Sequence, residues 1–560
     1  DSLGYRLVGA CLVAALLGGV LGFWASRRVL RPLADVSQVA EAISAATGQD
    51  AVLATQATIT STGGAVTLNG THANVNRRGV YLDRTSINSG AGAITIGSTT
   101  ANIKLMGSSV TSSGGNISIT TAGAHNYSAL EIVDYTGTPA VPSRISTTGS
   151  GNITLSGELT NYGSSAGSFA GGVVINNSTV SSFNGSITVQ GKVGVPSGVA
   201  QVSRGFSLDT GAHISGNGVI SLTGEVGASA AANSHGGMLA SGATVASTGG
   251  NVSLSGTLNN ASISAGTGLT IAGRVEAAGQ IALTGSATVG NASGTGLDIQ
   301  AGAVISSTSL GVTATGSVSS STTATNLIAA SVAGTISTTS AINVSGAVSA
   351  PNAVGASGVV VSGVITGTNS GNQITITGSG VPAPAPSSYR DLSLPGGTVS
   401  STGGLIKLVG DRMELQGAIN SSTGRTMVVP FSSNRSMVLA GSNETGTLNL
   451  TSSEINTITA SALVVGGSTY TGGISITGAI APANTNTLSL ITDPTGASGI
   501  AQSAAPSPAT ISVLNLNADG PWVSLDHPGN SIINVAGRAQ TGALSLRPSG
   551  AMTLSTVDGP

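Results

Sequence analysis

From Thr244 to Leu258 the chain reads T-V-A-S-T-G-G-N-V-S-L-S-G-T-L. An apolar residue, a few small polar ones, a Gly pair and then a strict V-x-L alternation predict one short strand, a tight turn and a second short strand. The phrase recurs from Ile59, Ile87, Val110, Ile145, Val180, Ile214 and Val399. The Gly before each second strand falls at Gly64, Gly92, Gly115, Gly151, Gly185, Gly218 and Gly250, so successive steps are 28, 23, 36, 34, 33 and 32 residues. A period of this size marks stacked supersecondary units rather than one globular core.

Each unit offers only a few strand residues with one apolar face, too little to fold alone, so that face must be buried against the units above and below. The apolar period is two, and the interruptions are Gly, Ser, Thr and Asn, which form helices poorly. The expected fold is all-β: a parallel β-solenoid over residues 51–560, with Val, Ile and Leu stacked inside, Gly and Asn at the corners, and Ser, Thr and Asn outside. At about 20–30 residues per coil and about 4.8 Å per rung, it would hold roughly 17 to 25 coils in a rod of about 80–120 Å. Val381 to Ser388, V-P-A-P-A-P-S-S, should run extended and exposed, because alternating Pro fixes φ and removes donors. This stretch, 381–389, either separates two solenoid blocks, 51–380 and 390–560, or loops out of one coil. Ala504 to Pro508 is a second such excursion.

Only 7% of residues are charged and 2% aromatic, while 83 of 560 are Gly. Disorder needs low hydrophobicity with high net charge, whereas this chain is 40% hydrophobic with a net charge of -2. The same neutrality argues against nucleic acid as a partner, since no basic patch is present.

The first fifty residues break the pattern. Leu7 to Ser26 carries no charge and is long enough to cross a hydrocarbon core of about 30 Å as a helix. Arg6 precedes it, Arg27, Arg28 and Arg31 come after it, and Trp24 takes an interfacial position. Residues 1–26 are therefore expected to form a transmembrane helix, with the charge bias placing the chain beyond Ser26 on the cytoplasmic side. Behind Pro32, Leu33, Val36, Val39, Ala40 and Ile43 fall at helical spacing and predict a short amphipathic helix within 27–50.

Arg31-Pro32-Leu33, Val36, Val39-Ala40 and Ile43 resemble the beginning of a HAMP linker, the membrane-proximal module of bacterial sensor kinases and chemoreceptors. Its second helix is missing, because Asp50 leads into the strand-like A-V-L-A-T-Q-A-T-I-T. None of His72, His125, His213, His235 and His527 precedes an acidic residue as a phosphoacceptor would, so phosphotransfer has no support. From Ala51 onward, the S-T-G-G-x-I/V-x-L phrases resemble the repeats of filamentous-haemagglutinin-type exoproteins and autotransporter passenger domains. That resemblance implies a right-handed parallel β-helix at the cell surface, in the outer membrane or secreted, exported through an outer-membrane transporter. The secretion motif of N-P-N-G type is not matched by the nearest string, Asn74-Val75-Asn76-Arg77. Residues 1–50 and 51–560 thus look like parts of two protein types joined near Asp50.

Candidate chemistry is thin. β-Helical polysaccharide lyases and hydrolases need two or three converging carboxylates. The best acidic candidates are Glu131 with Asp134 and Asp411 with Glu414, each pair three apart and so on opposite faces of a strand. There is no H-x-x-x-H and no calcium-binding repeat, and the one Cys, Cys11, lies inside the apolar run. No catalytic, cofactor-binding or metal-ligating residue is assigned, and an enzyme is not expected. The expected function is that of an adhesin or structural rod, whose Ser/Thr/Asn face binds host-cell or matrix glycans, or other surface proteins, weakly and many times. Its membrane contact would be residues 7–26. The alternatives are a membrane-anchored sensory protein using the HAMP-like segment and a β-helical polysaccharide-active enzyme.

Overall fold

A computed structural model describes residues 38–41, 50–74, 76–124, 126, 128–161, 170–194, 202–227, 232–260, 265–290, 293–380, 389–441, 446–504 and 509–557. They form a parallel β-solenoid, and one coil shows its plan. Ser234–Leu239 lies on a first face, Thr244–Ser247 on a second and Val252–Asn259 on a third. Ala265–Ile271 opens the next coil on the first face, paired in parallel with Ser234–Leu239. The phrase read in the sequence is thus the second and third faces. The first-face strand lies between copies of the phrase and is an additional element.

Thirteen strands stack on the first face, from Val52–Thr55 to Met413–Leu415. The third face continues further, in strands beginning at Gln38, Val66, Ile94, Ile117, Ile153, Ile187, Ile220, Val252, Ile281, Val312, Ile342, Ile374, Ile406, Arg425, Ile458, Thr485, Ser512, Val523 and Thr553. Those nineteen strands span eighteen spacings of about 4.8 Å, or about 86 Å of axis. Coil length varies mainly where the third face returns to the first. That connection is Thr99 to Ala101 in one coil and Gly380 to Tyr389 in another.

Pleating decides which residues are buried. In Val252–Asn259, Val252 and Leu254 point inward with no exposure, while Ser253 and Ser255 point out. Each buried aliphatic residue contributes about 1.5–3 kcal/mol, and stacking repeats that contribution at every rung. The corners are held by side chains. Ser247 Oγ accepts the Gly250 N–H at 2.9 Å and donates to the Gly218 carbonyl of the preceding coil at 2.7 Å. Ser112 and Ser401 hold Gly115 and Gly404 in the same way, at 2.8 and 3.0 Å. Outside, Asn152 N–H donates to Asn116 Oδ1 at 2.9 Å, and Ser186 N–H to Asn152 Oδ1 at 2.8 Å. The S-T-G-G-N string is therefore a turn stapled along the axis by its own Ser and Asn.

The interior is divided. Val252 and Leu254 belong to the main apolar column, but Leu258 belongs to a second column with Ala129, Leu159, Val193, Val226 and Val318. Between the columns, Gly157, Gly191, Gly224, Gly256, Gly285, Gly316, Gly346 and Gly378 of the third face meet first-face backbone, and a Cβ at any of them would lie 1.7 to 2.2 Å from a carbonyl oxygen. This Gly lies inside the strand rather than at a corner, and its role is close backbone approach. A related fit occurs at Phe206, which is wholly buried and whose ring fills the space a side chain at Gly237 would need.

The cross-section changes after Leu415. Ile458–Gly466 pairs with Ala418–Asn420 of the second face at its start and with Arg425–Val429 of the third face further on, so one straight strand replaces two strands and the corner between them. The opposite wall is rebuilt from Met437–Leu439, with Leu448–Leu450 on one side and Ile474–Ile476 on the other. The five-residue helix Ser452–Asn456 closes this junction. Its capping box joins Thr451 and Glu454, and Glu454 Oε1 accepts the Leu415 N–H at 3.0 Å.

Strands on either side of 381–388 pair directly, Ser357–Val361 with Arg390–Leu394 and Ile374–Ser379 with Ile406–Val409, so stacking is continuous past the Pro-rich stretch. The amphipathic helix expected within 27–50 needs correction at Gln38–Glu41, which is a strand paired in parallel with Val66–Asn69. The open edge of Val66–Asn69 offers unpaired N–H and C=O groups, and satisfying them outweighs a weak local helix preference. The run 7–26 and the rest of 27–49 lie outside the described residues. No helix among the described residues is long and apolar enough to cross a membrane.

Candidate functional site

The outward residues of the first face form one axial column, linked rung to rung: Tyr81, Lys104, Glu131, Val174, Ser207, Met238, Thr270, Asp298, Ser331, Val360, Ser393 and Glu414. Its charged members are Lys104, Glu131, Asp298 and Glu414. In the early coils Lys104 Nζ meets Glu131 at 3.0 Å, Arg78 lies 4.6 Å over the Tyr81 ring, and Arg84 lies 4.2 Å over the Tyr135 ring while also pairing with Asp83 at 3.1 Å.

This column separates the acidic candidates. Glu131 and Glu414 lie nine rungs apart, about 43 Å along the axis, so the two pairs share no site. Glu131 is held by Lys104, and Asp134 accepts Asn177 Nδ2 at 2.9 Å. Asp411 accepts the Ser432 N–H at 2.8 Å and the Ser432 hydroxyl at 2.5 Å, while Glu414 accepts Ser393 Oγ at 3.2 Å and Gln416 Nε2 at 2.9 Å. Each carboxylate is satisfied within its own surroundings, and none converges on a second across a cleft.

Asp391, which no sequence motif marks as functional, is 3% exposed. It accepts the Tyr389 hydroxyl at 2.8 Å and the backbone N–H groups of Asp411 and Arg412 at 2.7 and 2.9 Å. Burial raises its pKa despite those bonds, and burial followed by the Asp391 charge raises that of Tyr389. The signal available in the sequence was a Tyr-x-Asp beside the Pro-rich stretch.

A second group without a sequence motif is the outer cluster of Arg204, Ser207, Asp209, His235 and Thr270. Ser207 Oγ donates to Asp209 Oδ1 at 2.7 Å, Arg204 reaches the same oxygen at 3.3 Å, and His235 Nδ1 lies 2.9 Å from Thr270 Oγ1. Burial, then the Arg204 charge, push the His235 pKa down to about 4. The residue types are those of a hydrolase, but nucleophilic catalysis needs the Ser hydroxyl to face the His. Here Ser207 is turned to Asp209 and His235 to Thr270. No group of three or more potential metal ligands occurs among the described residues.

The third face is different in kind. Over nine rungs its outward residues form two columns: Ser118, Thr154, Thr188, Ser221, Ser253, Ala282, Thr313, Asn343, Thr375, and Thr120, Ser156, Gln190, Thr223, Ser255, Thr284, Thr315, Ser345, Thr377. Of these 18 positions, all but Ala282 carry a hydroxyl or an amide. Pleat and rung fix their spacing at about 6.6 Å along the strand and about 4.8 Å along the axis. No family model, curated protein or solved structure matches the chain.

Proposed function

We propose that the chain is a rod displayed at the cell surface, or secreted, that attaches to glycan-bearing surfaces through the polar ribbon of its third face. In this reading it is a right-handed β-helix of the filamentous-haemagglutinin or autotransporter-passenger kind, exported through an outer-membrane transporter, with residues 7–26 in a membrane. The observation that carries the reading is the array of 17 polar side chains held in register along one face. A single hydroxyl binds a sugar weakly. Many at regular intervals raise avidity without any new contact.

The test combines protease shaving of intact cells with binding of the whole chain to glycan-coated surfaces. Replacing Thr154, Thr188, Thr313 and Thr375 by Val keeps shape and strand preference but removes four hydroxyls. Shaving should clip the solenoid, and the variant should keep its β circular dichroism while losing most of its retention. Protection from protease, or retention equal to the unaltered chain, would reject the proposal.

A further inference from the structure

Beyond the third-face ribbon, after the rungs Ile406–Val409 and Arg425–Val429, the face steps, and the step holds a groove of about 540 Å³. Its origin is the change of cross-section. Up to Ser421–Gly424, each coil turns a corner between its second and third faces. The next rung, Ile458–Gly466, passes straight through, with the Ser461 N–H bonded to the Gly424 carbonyl at 2.9 Å. The ridge of corner turns therefore stops, with Gly403, Gly404 and Gly424 as its last wall and the straight strand as the floor beside it.

The lining differs from the rest of this face. Ala462 and Val464 point outward, yet are only 5% and 2% exposed, because Arg425 and Met427 stand beside them in register and Thr487 is on the next rung. Ser and Thr thus give way to a small apolar floor. The Arg425 side chain makes no hydrogen bond or ion pair among the described residues. Lys407 stands one rung below Met427, outside the lining, so Arg425 is the charged residue of the groove wall. Among the described residues, no acidic side chain lines the groove. Asp519, two rungs beyond Gly466, is held by Arg538 at 3.0 Å.

We infer that this groove binds the carboxylate of an acidic sugar beyond the end of the polar ribbon, an inference that rests on the glycan-binding role proposed for that ribbon. The Arg425 guanidinium offers a planar fork matched to a carboxylate. Met427, packed beside the buried Ala462 and Val464, receives the C–H face of the ring. Ser461 Oγ, whose proton is given to the Gly424 carbonyl at 2.7 Å, accepts from a ring hydroxyl. Charge decides for a carboxylate-bearing sugar over a neutral one, because a guanidinium beside an apolar floor gains most from an anion.

The experiment is calorimetric titration of the whole chain with tri-galacturonate and with its methyl ester, for the unaltered protein, Arg425→Gln, and the four-Thr-to-Val ribbon variant. The acid should bind more tightly than the ester, and Arg425→Gln should weaken the acid about tenfold or more while leaving the ester unchanged. The ribbon variant should retain this preference. Equal binding of acid and ester, or an unchanged titration in Arg425→Gln, would overturn the groove inference and leave the ribbon reading standing. Absence of binding by every glycan on the coated surfaces would reject both. Preference for a peptide carboxylate over tri-galacturonate would assign the groove to protein and overturn the sugar.

Discussion

A Cβ on Gly256 would lie 2.2 Å from the carbonyl oxygen of Gly268, so two walls of the solenoid touch backbone to backbone inside the stack. Neither peptide can yield without breaking its ladder, since Gly256 pairs with Gly285 and the Gly268 backbone lies within a rung shared with Ser293–Ile299. Gly256→Ala should therefore destabilise by about 1–3 kcal/mol, in the range of overpacked cores. Unfolding of a stacked array is not a single step, so amide hydrogen exchange over Val252–Asn259 and Ala265–Ile271 is the appropriate measure. Ser255→Ala, one residue away and pointing outward, should change protection by less than about 0.5 kcal/mol. Equal protection in Gly256→Ala and the unaltered chain would show that the two walls can separate at little cost.

Ser247 is buried and makes two bonds, one within its own turn and one to the preceding coil. Ser247→Ala leaves the Gly250 N–H and the Gly218 carbonyl without their partner, at a cost of about 1–3 kcal/mol. Ser247→Thr should be nearly neutral, because Thr147 and Thr338 occupy the same corner in other coils and donate to Gly151 and Leu310 carbonyls at 2.9 Å. Thermal midpoints of the two variants separate a hydrogen-bonding role from one of size. Similar losses in both would favour size.

His235 makes stability depend on acid. Its pKa of about 4 in the fold lies below the value near 6.5 expected when unfolded. Above about pH 6.5 both states are neutral and the stabilising difference is complete. As pH falls towards 4, the unfolded chain binds a proton that the fold refuses, and up to about 3 kcal/mol is lost. His235→Gln should flatten the fall in melting temperature between pH 7 and pH 4.5. An identical slope in the variant would place the acid sensitivity elsewhere.

Asp391 acts with the opposite sign. Its pKa in the fold is raised, chiefly by burial, so between the ordinary carboxylate pKa and the raised one the fold keeps a proton that the unfolded chain has released. Stability falls as pH rises through that window. Asp391→Asn keeps an acceptor for the Asp411 and Arg412 N–H groups and should remove this slope. Asp391→Ala should cost about 2 kcal/mol or more, because both N–H groups then lose their acceptor. Differential melting of the three proteins across the acidic range checks both statements.

The repeat was legible because pleating writes a period of two into the sequence, and I-T-L, V-S-L and I-S-L strands recur in register. The corner Ser and Gly were visible too, though not their bonding between coils. The inner Gly reads as a corner residue, because a Gly after V-x-L looks the same whether it turns the chain or lets two backbones meet. The first-face strands, such as A-G-G-V-V-I and S-H-G-G-M-L, escaped notice because Gly pairs mask their alternation. Leu514 continues an apparent apolar alternation yet is 44% exposed, since the straight strands of the later coils do not keep the earlier phase. Nothing local in Gln38–Glu41 specifies a strand. Its partner, Val66–Asn69, does. The groove was invisible because it arises where one coil shape gives way to another, and no single motif encodes that junction.

The direction of the ladder bonds has a mechanical consequence. Strands lie across the axis and their hydrogen bonds lie along it, so tension applied end to end loads one rung interface at a time rather than shearing many bonds together. Under such a pull the molecule would peel coil by coil, lengthening by the contour of each coil released. The change of cross-section after Leu415 would register in that extension trace as a change of step height.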